Sequence, residues 1–312
     1  MSNYAIVFPG QGSQSVGMLS DLYDAHEIIR ETFNEANQAL GFDLWDMVKN
    51  GPADDLNQTH NTQPAMLTSG LAVWRLMQHA NISQPRALAG HSLGEYTALV
   101  AAGAMDFADA VSLVALRGKL MQEAVPAGEG AMAAILGLDD DVVRSLCNDA
   151  AQGMVVEAVN FNSPGQVVIA GNTAAVERAM AAAKQAGAKR ALALPVSAPS
   201  HCALMQPAAE KLAEQLSAIS MTAPSIPVIH NVNVAATNNP DEIKRLLAEQ
   251  LYSPVRWVET INSMHADGIT KVVEAGPGKV LTGLCKRINK EVSGLGVFDQ
   301  NSFEKFLEDH NA

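Results

Sequence analysis

The sequence predicts an α/β protein with a mostly parallel sheet and a small inserted subdomain. Short apolar segments of strand length alternate with longer segments of helical spacing along most of the 312 residues, and this alternation is typical of βα units. One stretch near the middle has the order βαββαβ instead. With 48% hydrophobic and 17% charged residues, the chain can bury a substantial core, in one large domain or two smaller ones.

Charge and composition argue against several classes of function. The net charge of −12 disfavours nucleic acid as a partner, so any anionic ligand must meet a local basic patch. The apolar runs are too short to cross a bilayer and no signal peptide is evident, so we expect a soluble cytoplasmic protein without a membrane partner. Neither C-x-x-C nor H-E-x-x-H occurs, so we expect no metal site and three free thiols, Cys147, Cys202 and Cys285.

The chain opens with a strand and a glycine-rich turn. Tyr4–Phe8 is a continuous apolar run suited to a parallel strand buried on both faces. The following segment, Pro9-Gly-Gln-Gly-Ser-Gln-Ser-Val-Gly17, lacks the dinucleotide-binding spacing because Ser15 stands where a third glycine is required. No Gly-Lys-Ser/Thr follows, so a P-loop is also excluded. A tight turn and half of an oxyanion hole remain as alternatives for this segment.

A nucleophile elbow is predicted after the second strand. Helical spacing covers 21–40 and 63–80, and a short buried strand follows at 86–89. Gly90-His-Ser-Leu-Gly94 then fits G-x-S-x-G, and a helix is expected from Leu93 to Ala102. In such an elbow a strand turns sharply into a helix, and the turn presents the serine hydroxyl. Ser92 is therefore the candidate nucleophile.

The next helix carries a cation on its apolar face. It begins near Asp106, a suitable N-cap, and Arg117 lies among its apolar residues. A buried cation is costly unless it is paired. One interpretation is a structural salt bridge or an interface arginine. The other is a clamp for a substrate carboxylate, which a guanidinium binds through two hydrogen bonds.

The βαββαβ stretch predicts an inserted ferredoxin-like subdomain at 127–196, within a larger domain formed by 1–126 and 197–312. A loop, Asn160-Phe-Asn-Ser-Pro-Gly165, is expected to join its middle strands. Asn160 or Asn162 either faces the main domain or forms an Asx turn. The strands are expected at 131–136, 154–160, 166–170 and 189–194, and the helices at 139–151 and 173–186.

His201 is the histidine best placed to act as a base. It follows a strand in the irregular segment Val196-Ser-Ala-Pro-Ser-His201 and precedes a helix at 203–217. An exposed serine needs such a base for nucleophilic catalysis. His91 is the alternative, but as the neighbour of Ser92 it is expected to point to the opposite side of the elbow.

The C-terminal part repeats the strand–turn–helix pattern. Helices are expected at 240–251 and 254–265, and a strand at 269–274 leads into Ala275-Gly-Pro-Gly-Lys279 and a helix to Asn289. A last strand, 294–298, and a short helix end the chain. The helix to Asn289 leads into a basic cluster that stands out in this acidic chain, formed by Lys286, Arg287 and Lys290.

Motifs along nearly the whole chain resemble, in order, those of the bacterial malonyl-CoA:acyl carrier protein transacylases. They are Pro9-Gly-Gln-Gly-Ser-Gln14, Gly90-His-Ser-Leu-Gly-Glu-Tyr96, Arg117, Asn160-Phe-Asn-Ser-Pro-Gly-Gln166, Ser197-Ala-Pro-Ser-His201 and Glu274-Ala-Gly-Pro-Gly278. The resemblance implies an α/β-hydrolase-like core with the ferredoxin-like insertion. It also implies malonyl transfer from malonyl-CoA to the phosphopantetheine thiol of an acyl carrier protein, with CoA as product and no cofactor.

The same resemblance implies a role for each site residue. Ser92 is the nucleophile, His201 is its base, and Arg117 holds the malonyl carboxylate. The remaining matches are the backbone N–H groups of Gln11 and Leu93 in the oxyanion hole, the main-chain carbonyl of Gln250 that orients the histidine, and the pocket residues Gln63 and Asn160.

Two other functions stay open on the residues alone. A serine esterase or thioesterase would need the elbow but not Arg117, and it would lose the acyl group rapidly to water. A non-enzymatic module that docks the carrier protein is disfavoured, because a nucleophile, a candidate base and a candidate buried cation are all present. The basic cluster is the candidate surface for an acidic carrier protein.

Overall fold

The computed structural model describes residues 3–196 and 198–311. Its strands are β1 (Tyr4–Phe8), β2 (Ala87–Gly90), β3 (Gly130–Leu136), β4 (Val156–Ser163), β5 (Gln166–Asn172), β6 (Arg190–Ala193), β7 (Val228–Ile229), β8 (Lys271–Ala275) and β9 (Ser293–Val297).

Fourteen helices are described, and five of them lie between β1 and β2. They are α1 (Ser20–Ala25), α2 (Glu27–Leu40), α3 (Leu44–Asn50), α4 (Ala53–Leu56), α5 (Thr59–His79), α6 (Gly94–Ala101), α7 (Phe107–Ala124), α8 (Asp140–Ala151), α9 (Thr173–Gln185), α10 (Gln206–Ala218), α11 (Pro240–Glu249), α12 (Trp257–Ala266), α13 (Val280–Ile288) and α14 (Gln300–Asn311). Short 3-10 turns cover Ala203–Met205 and Gln250–Tyr252.

The main sheet is parallel and carries the elbow. Its strand order is β7-β2-β1-β8-β9, and each neighbouring pair is parallel. Strand β1 is buried along its whole length. Ile6 and Phe8 pack into the core on one face of the sheet, whereas Ala5 and Val7 pack into the core on the other. The prediction of an α/β core with a mostly parallel sheet is confirmed.

A second, antiparallel sheet is formed by the βαββαβ stretch. Its order is β4-β5-β3-β6, with antiparallel neighbours throughout, which is the ferredoxin-like arrangement. Helices α8 and α9 contribute to the core on one face. On the other face Met132, Val159 and Val168 pack with Cys202, so this side of the small sheet contacts the segment that follows the candidate base.

Several predicted boundaries are wrong for identifiable reasons. The helix expected at 21–40 is divided into α1 and α2, because His26 has extended backbone angles between them. Helix α5 begins four residues before the expected start at Gln63. The helix expected from Pro254 begins only at Trp257, because residues 250–252 form a 3-10 turn and Val255 pairs with the neighbouring sheet.

The loop expected at 160–165 is mostly strand. Strand β4 extends to Ser163 and β5 begins at Gln166, so only Pro164 and Gly165 form the turn. Gly165 has a positive φ of 72°, which glycine adopts without strain. Helices α3 and α4 and the two-residue strand β7 are not among the sequence predictions. Within 3–196 and 198–311, no helix is both long and apolar enough to span a membrane.

Candidate active site

The strand–turn–helix at Ser92 lies where the sequence predicts it. Strand β2 ends at Gly90 and helix α6 begins at Gly94, and Ser92 has a positive φ of 51°. A Cβ at Gly90 would lie 1.8 Å from the carbonyl carbon of Gly94, and one at Gly94 would lie 2.0 Å from the main-chain oxygen of Phe8. Both glycines are therefore required by close backbone packing, and the turn between them holds Ser92 in a strained conformation.

Ser92 and His201 form a hydrogen-bonded pair. The Ser92 Oγ lies 2.7 Å from His201 Nε2, and His201 Nδ1 lies 2.8 Å from the main-chain oxygen of Gln250. The carbonyl accepts a hydrogen bond from Nδ1–H, which leaves the lone pair of Nε2 facing the serine hydroxyl. Burial, with the charge of Arg117 acting in the same direction, lowers the pKa of His201 to about 3. The ring is therefore a neutral base.

Arg117 lies against the same serine and is only 1% exposed. Its guanidinium donates to Ser92 Oγ at 3.3 Å, to Gln63 Oε1 at 2.8 Å and to Gln250 Oε1 at 3.0 Å. Within the described part of the chain it forms no salt bridge, and its Nε has no hydrogen-bond partner. The interpretation of Arg117 as a partner in a direct structural salt bridge is therefore wrong within the described residues.

A pocket opens at the serine and brings the other predicted residues together. Gln11, Gln63, Ser92, Leu93, Arg117, Asn160 and His201 line it. Asn160 comes from β4 of the small sheet, and its buried Oδ1 finds no partner among the residues described. Apolar side chains complete the wall, namely Met121, Met132, Leu194, Val196 and Ala198.

Gln11 and Leu93 come from two turns that contact each other. Leu93 directly follows Ser92 and precedes the first residue of α6. Gln11 lies in the turn after β1, where its side chain donates to Thr59 Oγ1 at 3.3 Å. Gly10 packs against the main-chain oxygen of His91, so closely that a Cβ there would lie 2.4 Å away. The two turns are thus in contact, and both Gln11 and Leu93 line the pocket.

His91, the alternative base, has another partner. Its Nε2 lies 2.8 Å from Asn162 Oδ1, and its ring packs against Trp257. It thus contacts β4 and α12, and it lines the same pocket as Ser92 without a hydrogen bond to the serine hydroxyl among the described residues. The motif Ser197-Ala-Pro-Ser-His201 is described from Ala198 onward, and Ser197 lies outside the described residues.

Three residues that the sequence analysis did not identify, Glu95, His230 and Asn231, form a hydrogen-bonded group that holds the elbow. Asn231 Oδ1 accepts from the backbone N–H of Ser92 at 2.8 Å, and its Nδ2 donates to the oxygen of Gly90 at 2.7 Å. Glu95 is fully buried and contacts His230 and Asn231. Glu95 lies inside the quoted motif, and the His-Asn pair follows the short strand β7. A polar pair after a buried strand is the signal that could have found them.

The described residues contain no cluster of three or more His, Cys, Asp or Glu that could hold a metal ion. The three cysteines are free, and the structure shows that all three are buried. The basic cluster lies at the end of α13 and just beyond it, and its three side chains are exposed. Arg287 donates to Gln166 Oε1 at 2.9 Å, so the cluster adjoins the small sheet.

A serine on an elbow, a neutral histidine and a buried guanidinium define the site of a serine acyltransferase. The acyl transferase domain model matches residues 5–299. The chain is 56% identical to the malonyl CoA-acyl carrier protein transacylase of Escherichia coli strain K12. The alignment spans 308 residues and covers 99% of this chain and 100% of that protein. It therefore belongs to the family of malonyl CoA-acyl carrier protein transacylases.

Solved structures agree with this assignment. An acyl carrier protein S-malonyltransferase from Vibrio cholerae superposes with a TM-score of 0.96 at 59% identity, covering 98% of this chain and 100% of that one. A malonyl-transacylase solved in complex with its type II PKS acyl-carrier protein superposes with a TM-score of 0.98 at 53% identity, covering 99% and 100%.

Proposed function

We propose that this protein transfers the malonyl group of malonyl-CoA to the phosphopantetheine thiol of an acyl carrier protein in fatty acid biosynthesis, through a malonyl ester of Ser92. The observation that carries the proposal is that Ser92 Oγ lies between a neutral base, His201 Nε2 at 2.7 Å, and a cation, Arg117 at 3.3 Å. The relative at 56% identity is named for this activity, and a similar structure contains an acyl-carrier protein.

The first half-reaction forms the ester. Ser92 Oγ attacks the thioester carbonyl while His201 Nε2 takes the hydroxyl proton, and the carbonyl oxygen becomes an oxyanion. The backbone N–H groups of Gln11 and Leu93 are proposed to stabilise it, and one such donor typically contributes about 3–4 kcal/mol. Collapse of the intermediate breaks the C–S bond, and His201 returns its proton to the departing CoA thiol.

The second half-reaction reverses these steps with a different thiol. The carrier thiol gives its proton to His201 and attacks the ester, and Ser92 Oγ then leaves and regains the proton. One acyl-binding site serves both half-reactions, so ping-pong kinetics are expected. The chain's own groups supply every proton transfer, and we propose that no cofactor is required.

The guanidinium of Arg117 selects the acyl group. It is held by Gln63 and Gln250 and has no carboxylate partner within the residues described. Planar guanidinium donors match a carboxylate bidentately, so the malonyl carboxylate is the partner that this buried cation lacks. An acetyl group offers no such partner. Asn160, with its unpartnered oxygen, is proposed to contact the substrate from the opposite wall.

We further propose that residues 127–196 form an inserted subdomain within a catalytic domain of 1–126 and 197–312. The pocket lies between the elbow and the small sheet, since Met132 and Asn160 line one side of it and Ser92 the other. The exposed basic cluster beside this sheet is the proposed docking surface for an acidic carrier protein. The cytoplasm is the proposed location.

An intact-mass measurement after incubation with malonyl-CoA tests the function. A stable malonyl adduct that is absent in Ser92→Ala is the expected result. Release of free CoA without an adduct would indicate a thioesterase instead. Absence of any reaction would leave only a carrier-docking module, and both of these outcomes would contradict the proposal.

A further inference from the structure

The guanidinium of Arg117 is buried among neutral acceptors. Its hydrogen bonds go to the side-chain oxygens of Gln63, Gln250 and Ser92, and the ring of Tyr96 lies 5.3 Å from the guanidinium carbon. A buried cation is strongly destabilising unless other groups compensate its charge. Since no carboxylate contacts the guanidinium within the described residues, its charge must be compensated by a negative group that lies farther away.

Glu95 lies on the other side of the Gln250 side chain. Gln250 Oε1 accepts from Arg117 at 3.0 Å, and Gln250 Nε2 donates to Glu95 Oε2 at 2.8 Å. Glu95 and Gln250 are both fully buried. The amide thus has its oxygen toward the cation and its N–H toward the anion, an orientation in which each hydrogen bond polarises and strengthens the other.

The remaining contacts of Glu95 hold it in place. His230 Nδ1 lies 2.8 Å from Oε1, and the backbone N–H of Asn231 donates to Oε2 at 2.9 Å. With Gln250, three donors converge on this carboxylate. An ionised carboxylate accepts hydrogen bonds and donates none, so this arrangement suits the charged form. Asn231 also binds the backbone of Ser92, so the group that balances Arg117 is built into the support of the elbow.

We propose that Glu95 is a positioning residue that balances the charge of Arg117 through the Gln250 side chain, so that no protein carboxylate has to bind the guanidinium directly and an acyl carboxylate can. That the guanidinium binds an acyl carboxylate rests on the proposed function, whereas the charge balance between Glu95 and Arg117 does not. Burial lowers the pKa of Arg117, and Tyr96 and, to a smaller extent, the charge of Glu95 oppose this effect.

A double-mutant cycle on the free protein tests the charge balance. Glu95→Gln, Arg117→Met and the double variant are unfolded in urea and by heat. Glu95→Gln alone leaves a buried cation uncompensated, so its Tm is expected to fall by roughly 5 °C or more. In the Arg117→Met background the same change is expected to lower the Tm much less. Additive effects would contradict the proposal, because a purely structural Glu95 costs the same in both backgrounds.

Glu274 offers a matched control. It is equally buried, and its carboxylate accepts from the backbone N–H groups of Leu281 and Thr282. Glu274→Gln is expected to be destabilising by the same amount with and without Arg117. If Glu95→Gln alone does not fold, the Arg117→Met double variant is still expected to fold. A double variant that also fails to fold would overturn the proposal.

Transfer kinetics provide a readout that a structural role would not move. Removing the negative charge strengthens the positive field in the pocket, so kcat/KM for malonyl-CoA is expected to rise several-fold relative to that for acetyl-CoA in Glu95→Gln. If the ratio of the two kcat/KM values is unchanged or lower in Glu95→Gln, Glu95 does not balance the charge of Arg117. A protein that transfers no malonyl group would still show the coupling in the unfolding cycle, so failure of this inference and failure of the proposed function are distinguishable.

Discussion

Positive charge occurs in two contrasting settings on this acidic protein. Arg117 is 1% exposed and held by hydrogen bonds to two glutamine side chains. The basic cluster of Lys286, Arg287 and Lys290 is exposed at and just beyond the end of α13. A buried and oriented guanidinium recognises one group at one distance. Exposed charges instead create a longer-ranged field that salt screens.

We expect the two regions to have different tasks. Because the Arg117 donors are fixed and desolvated, we propose that they discriminate between acyl groups that differ by a carboxylate. Because the cluster is solvated, it contributes little to any single contact but favours the approach of an anionic surface. Changes to the two regions should therefore have different effects on the two substrates.

The largest effect is expected for Arg117→Ala. The kcat/KM for malonyl-CoA should fall by on the order of 100-fold, because the acyl carboxylate loses a buried charged partner. The kcat/KM for acetyl-CoA should fall much less, since that substrate has no carboxylate. Steady-state rates with both substrates check this. Arg75→Ala is the control, because Arg75 is paired with Glu35 outside the pocket. Equal losses for both substrates would show that Arg117 is structural.

A smaller effect concerns pH. Burial and the charge of Arg117 lower the pKa of His201 from 6.5 to about 3, so the base stays neutral as the solution is acidified. The rate of Ser92 acylation should therefore be nearly constant from about pH 7.5 to about pH 5.5, whereas a histidine with an ordinary pKa would lose about tenfold. Rapid-quench measurement with malonyl-CoA checks this.

The same pH profile, measured in a variant of Arg117, tests whether the arginine charge lowers the pKa of His201. Since the arginine charge disfavours an imidazolium, Arg117→Met should raise the pKa of His201, and the loss of rate in acid should then begin at a higher pH. The Arg75→Met variant should keep the wild-type profile. A profile that is unmoved by Arg117→Met would show that the charge does not reach the base.

The smallest effect is expected for the basic cluster. Changing Lys286, Arg287 and Lys290 to Glu should raise the KM for the carrier protein by roughly 3-fold to 10-fold at low salt and leave the KM for malonyl-CoA less affected. The difference should shrink as salt is added. Lys49, Lys211 and Lys305, also exposed, change the net charge equally when replaced by Glu. Matched effects on both substrates, or from both triple variants, would exclude a carrier-specific role.

Sequence patterns were sufficient for the elements that have a local signature. The apolar run at Tyr4–Phe8, the N-cap at Asp106 and the glycines of the elbow can each be recognised from a few neighbouring residues, although Gly94 also packs against the distant main-chain oxygen of Phe8. Asp106, for instance, accepts from the N–H groups of Ala108 and Asp109. The βαββαβ order was also readable, because each element has its own periodicity. Boundaries that depend on distant packing, such as the start of α12, were wrong.

Gln250 illustrates what the sequence left open. Its main-chain carbonyl orients His201, while its side chain joins Arg117 to Glu95. Resemblance to a family implied the first contact, but nothing near position 250 indicates the second. Asn231 holds the Ser92 backbone from 139 positions away, and its place after a buried strand indicates a polar site without indicating this partner.

By itself, the sequence determined the fold class, the elbow and the set of groups able to do acyl-transfer chemistry, because short-range backbone constraints and the motif pattern are contained in neighbouring residues. Only the tertiary structure decided that Arg117 has no salt bridge within the described residues and that a buried carboxylate lies one amide away. The reason is physical: the pairing of buried charges depends on which side chains the packed sheet and helices bring within hydrogen-bonding distance, and that distance is not a property of any one segment.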